Sequence, residues 1–69
     1  MKQAFHEIMT RRMQEMAITN EGLAIKLGLT RRQVNNYCLG RAIPPGDKLL
    51  SILEFLEIPA QSVILRRVS

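Results

Sequence analysis

Cysteine is almost missing from this 69-residue chain. Cys38 stands alone, so no intrachain disulfide can form, and the single histidine, His6, leaves no Cys/His cluster with metal-ligand spacing. A lone imidazole reads as an exposed or half-packed side chain, and Cys38, with no evident base to activate it, as a small buried hydrophobe. Long apolar runs are missing as well. No stretch approaches the roughly 18 residues of a membrane span, and the opening Met1-Lys2-Gln3-Ala4-Phe5-His6-Glu7 lacks the apolar segment of a signal peptide. The expectation is a soluble, cytoplasmic protein. Paired carboxylates, a nucleophile beside a base and a phosphate-cradling loop are all absent, which argues against an enzyme and against a bound cofactor or metal. Acidic residues are scarce: six Asp and Glu face ten Lys and Arg, for a formal charge of +4. So basic a small domain suits a polyanionic partner, nucleic acid first among them.

No repeat, low-complexity tract or linker interrupts the chain, so residues 1–69 form a single domain. At about 100° per residue, Phe5, Met9, Met13 and Met16 share one face, predicting an amphipathic helix from about Lys2 to Met16. Arg12 lies near that stripe, its stem along the apolar edge and its charge outward. A second helix follows Thr19, which can cap it, with Ile18 and Leu23 as the flanking staple and Leu23, Ala24 and Leu27 facing inward. Gly28 stops it. Thr30 and Gln33 then form a capping-box pattern, with Leu29 and Val34 as staple, and open a third helix from Arg31 to about Leu39. Gly40 ends this helix, and Ala42-Ile43-Pro44-Pro45-Gly46 reads as an extended loop. A fourth helix spans Asp47 to about Glu57 with Leu49, Ile52, Leu53 and Leu56 on one face. After Pro59, residues 60–67 are a short fifth helix or, alternatively, an edge strand built on Val63, Ile64 and Leu65. The fold class is therefore all-α, a compact four- to five-helix domain.

Two short helices joined by a tight turn with glycine are the helix-turn-helix unit, whose second helix enters the major groove of DNA. Here it spans about residues 19–40. Ala24 supplies the small residue where the helices cross, Gly28 the turn, and Val34 and Tyr37 the inward anchor. The run from Thr19 to Val34, Thr-Asn-Glu-Gly-Leu-Ala-Ile-Lys-Leu-Gly-Leu-Thr-Arg-Arg-Gln-Val, resembles the helix-turn-helix of the phage Cro and lambda-type repressors, the XRE-like regulators. The turn Gly40-Arg41-Ala42-Ile43-Pro44 and the Leu49 to Pro59 pattern extend the likeness over nearly the whole chain. It implies a domain of five helices that binds operator DNA, usually as a dimer. Asn20 stands where the family often has glutamine, and Cys38-Leu39-Gly40 where it often has Glu-Asn-Gly. The arginine that can pair with that glutamate corresponds to Met13, so a Met13–Cys38 contact is expected in place of an ion pair.

On the third helix, Val34, Tyr37 and Cys38 face the core and leave Arg32, Asn35, Asn36 and Leu39 outward. Arginine can donate a bidentate pair to guanine and asparagine can bridge adenine, so Arg31, Arg32, Asn36 and Asn35 are the expected base-contacting residues. Asn20, Thr30 and Arg41 are expected on phosphates, whereas Gln33 is read as a cap residue. Between Glu21 and Asp47 there is no acid, while Lys26, Arg31, Arg32 and Arg41 all fall there. Arg66 and Arg67 read as favourable charges at a helix C-terminus or as phosphate contacts. Phe55, Ile64 and Leu65, with Leu50 and Val68, form either a homodimer interface or the packing of the tail on the core. The functional expectation is a transcriptional repressor that binds a double-stranded inverted-repeat operator. The alternatives are an antitoxin, a restriction-modification controller, or a protein-interaction module that has lost DNA binding.

Overall fold

The structure is a computed structural model that describes residues 3–65. Four α-helices make up its body: α1 (Phe5–Glu15), α2 (Asn20–Leu27), α3 (Arg31–Cys38) and α4 (Gly46–Phe55). Two residues at each end form a minimal ribbon, in which β1 (Gln3–Ala4) pairs in parallel with β2 (Val63–Ile64), Gln3 opposite Val63 and Ala4 opposite Ile64. Val68, Arg66 and Arg67, with the readings attached to them, lie outside the described residues.

The starts of α2 and α3 follow the capping chemistry of the sequence. Thr19 Oγ1 accepts from the Gly22 N–H at 3.0 Å. At α3 the capping box is complete: Thr30 Oγ1 accepts from the Gln33 N–H at 3.0 Å, and Gln33 Oε1 accepts from the Thr30 N–H at 2.9 Å. Gln33 is thereby occupied as a cap residue. Gly28 takes φ 68°, a left-handed conformation that a Cβ disfavours, and turns the chain between α2 and α3.

The core sits between the helix-turn-helix and the bracket formed by α1 and α4. Met9, Leu23, Val34, Ile52 and Leu56 are wholly buried, and Phe5, Ile8, Met13, Ala24, Tyr37, Leu53 and Ile58 close around them. The methionine stripe of α1 is therefore core, with Met16 half-buried against it. Met is well suited to fill the irregular gaps between short helices. Arg12 meets the expectation of a stem on the apolar edge and gives the head a task. Its Nε donates to the Leu56 carbonyl at 2.7 Å, capping the end of α4, while Nη1 and Nη2 reach Glu15 at 3.2 Å and Glu57 at 3.6 Å.

The segment after Pro59 corrects the expected fifth α-helix. Residues Ala60–Ser62 make a single 3₁₀ turn, closed by Ser62 Oγ on the Pro59 carbonyl at 2.7 Å, and the chain then extends as β2. β-Branched Val63 and Ile64 favour the extended state, and the unpaired backbone of Gln3–Ala4 offers them a partner some 60 residues away. The edge-strand alternative is the one the chain adopts.

Candidate nucleic-acid interface

The N-terminal ends of α2 and α3 converge on an open groove of about 670 Å³ lined by Thr19, Asn20, Glu21, Arg31, Arg32 and Asn35. The Gly28 turn folds α3 back across α2, so that Asn35 lies within 3.4 Å of Asn20 at the start of α2. Both helix ends direct unpaired backbone N–H groups and the positive pole of the peptide dipoles to the same side. Anions are favoured there.

Side-chain charge sharpens the point. The first turns of α1, α2 and α4 carry Glu7, Glu21 and Asp47, the sign that the helix dipole favours, whereas α3 has no acid in its first turn and begins Arg31-Arg32. Two guanidinium groups at a positive helix end oppose the dipole. Both arginines are exposed, and the ion pairs among the described residues belong to Arg12 instead. Among the described residues neither charge has an ion-pair partner, so their position makes physical sense opposite an anionic partner.

Of the base-contact candidates, Arg31, Arg32 and Asn35 line the groove together, while Asn36 is half-buried outside its lining. The Asn36 carbonyl instead accepts from the Arg41 N–H at 3.0 Å, closing the end of α3. Among the phosphate candidates, Asn20 is in the groove, Thr30 is exposed at the α3 cap, and Arg41 is exposed just past Gly40 at φ 75°. The Thr30 oxygen accepts from the backbone, which leaves its O–H proton free to donate. Thr19 and Glu21 were missed as groove residues. Both carried a local explanation, cap and dipole partner, which hid that the turn aims them at α3.

Behind the groove Cys38 is half-buried, its Sγ 3.7 Å from Met13 Sδ and 3.8 Å from Asn20 Oδ1, so the expected Met13–Cys38 contact is present. Burial pushes the thiol above its ordinary 9.0, partly offset by a hydrogen bond with Thr10. Neutral sulfur at this junction needs no charged partner. Thr10 Oγ1 also reaches the Cys38 carbonyl at 3.3 Å, tying α1 to the end of α3. His6 is half-buried, its Nδ1 shielded and without a hydrogen-bond partner among the described residues. Among those residues no group of three or more His, Cys, Asp or Glu converges as a metal site, and no helix is long and apolar enough to cross a membrane.

Residues 8–63 match the helix-turn-helix family. No curated protein and no solved structure matches the chain significantly. The family match covers most of the chain and includes both helices of the groove, the turn and α4. The chain belongs to the helix-turn-helix family, in its XRE-like, Cro and lambda-repressor branch, and is a DNA-binding transcription regulator.

Proposed function

We propose that this regulator is a phage-type repressor that occupies an inverted-repeat operator as a homodimer in a bacterial or phage-infected cytoplasm and blocks transcription by obstruction. The observation that carries the reading is the Arg31-Arg32 pair at the positive end of α3, without an ion-pair partner among the described residues and lining a groove that α2 shares. Arg31, Arg32 and Asn35 read base edges from the first turns of α3, with Asn36 as a further contact at the margin. Asn20, Thr30 and Arg41 hold phosphates on either side and fix the register.

Size supports a dimer. The described chain measures 29 × 24 × 21 Å, less than the roughly 34 Å between successive major grooves on one face of B-DNA, so one copy spans one half-site. Leu50, Ile64 and Leu65 are exposed apolar residues and Phe55 is only partly covered, which leaves apolar surface that a second copy can bury.

Selection from a randomised duplex library near physiological salt tests the proposal. The expected result is an enriched inverted repeat with half-site centres about 10 bp apart. Binding without enrichment, collapsing as salt rises, would reduce the protein to a non-specific binder.

A further inference from the structure

One side chain in the groove has the wrong sign for a surface that meets DNA. Glu21 lines it beside Asn20, Arg31, Arg32 and Asn35. The helix dipole accounts for an acid in the first turn of α2, as it does for Glu7 in α1 and Asp47 in α4, but of the three only Glu21 lies in this groove. It is exposed, and among the described residues its carboxylate has no ion-pair partner, although two arginines line the same groove. A duplex docked here therefore meets an unengaged negative charge.

DNA limits what that charge can accept from. Phosphate oxygens are anionic acceptors and deoxyribose lacks the 2′-hydroxyl, so the backbone has no hydrogen to donate. In the major groove the donors are the amino groups at cytosine N4 and adenine N6. Adenine N6 stands beside the N7 acceptor, which repels a carboxylate, so cytosine is the better match. We propose that Glu21 is a specificity-determining residue that accepts from cytosine N4 in a matched site and, where no base amine is within reach, weakens binding through its stranded charge. This rests on the reading of the groove as the DNA-facing surface. The arginines attract any duplex, whereas Glu21 subtracts from that attraction when the sequence is wrong. The groove is thereby more selective than its positive charge alone would make it.

Library selection with the whole chain tests it, followed by titration of the selected duplex and a scrambled one at the same salt. Wild type is expected to enrich cytosine at one half-site position, and Glu21→Ala to lose that preference with the other positions unchanged. Glu21→Gln keeps an acceptor and gains a donor, so it moves the same position toward adenine, which an amide can bridge. Both variants are expected to narrow the affinity ratio between selected and scrambled duplex by about tenfold. Loss of a dipole partner alone would lower the melting temperature without moving a base preference. An equal rise in affinity for both duplexes with every preference intact overturns the proposal, because Glu21 would then only repel phosphates. So do wild-type affinities and preferences in both variants, or a lost position at which the wild type prefers a base other than cytosine. A wild type that enriches no sequence overturns the DNA-reading groove itself, an outcome visible before any variant is made.

Discussion

Ala17 and Glu57 both hold φ at 56°, in the left-handed region where a Cβ is penalised. Each follows a helix end closed in the same way. The Ile18 N–H reaches back to the Met13 carbonyl at 2.9 Å and that of Ile58 to Leu53 at 2.8 Å, while Ala17 and Glu57 bond to Gln14 at 3.1 Å and Glu54 at 3.2 Å. This is the terminating motif that glycine usually serves. Ala17→Gly should therefore stabilise the fold by about 0.5–1 kcal/mol, part of the relief being lost to the greater freedom of glycine in the unfolded chain. Urea denaturation measures it, and a lower midpoint would refute the strain argument. Gly28 announced its left-handed turn in the sequence; Ala17 and Glu57 gave no sign, because neither residue type marks that conformation. Cys38 supplies a second test at this scale. Its acid form is favoured in the folded state, so its contribution is complete below pH 9 and is lost as pH rises through the folded value, where the native state holds a proton that the unfolded chain has released. Melting curves across that range should fall more steeply for wild type than for Cys38→Ala. Parallel curves would mean that the thiol is not perturbed by its surroundings.

Helix α3 sets stability against function. Its capping box is intact and its inner face is buried at Val34 and Tyr37, yet its first turn carries the wrong charge for its own dipole. Arg31→Glu should raise folding stability by about 0.5–1 kcal/mol while weakening DNA binding at least tenfold. Thermal melts and binding titrations on the same variant decide it; stability and binding falling together would show that Arg31 supports the fold instead. The helices were legible because their signals are local: Thr19 and Thr30 cap, Gly28 turns, and apolar residues recur with helical spacing. The pairing of β1 with β2 was not. Two-residue strands carry too little pattern to separate from a last helical turn, and what decides between them is a partner at the far end of the chain. The groove fell between these cases. Its arginines and asparagines were visible in sequence, but the choice of Asn35 over Asn36 as its lining depends on how α3 is rotated against α2.

At the scale of the molecule, the formal +4 charge favours encounter with DNA, and the number of phosphates neutralised in the complex sets the dependence of binding on salt. Arg41→Ala should weaken all duplexes alike and lower the slope of log affinity against log salt by about one unit, because its predicted contact is a phosphate. A change in base preference would move Arg41 into the reading face. Oligomeric state is the companion test. Phe55→Asp is expected to shift sedimentation toward the monomer and weaken operator binding, and an unchanged oligomer in a folded variant would remove Phe55 from the proposed interface. The small ribbon at the chain ends also has a mechanical meaning. Its strands are parallel, so the chain enters β1 at Gln3 and leaves β2 after Ile64 at opposite ends of the ribbon. Tension between the chain ends would slide one strand along the other, loading the ribbon's hydrogen bonds together rather than peeling them apart in turn. The ribbon thus acts as a shear clasp, and a pull on the ends would have to break it before reaching the helices that hold the DNA-facing groove.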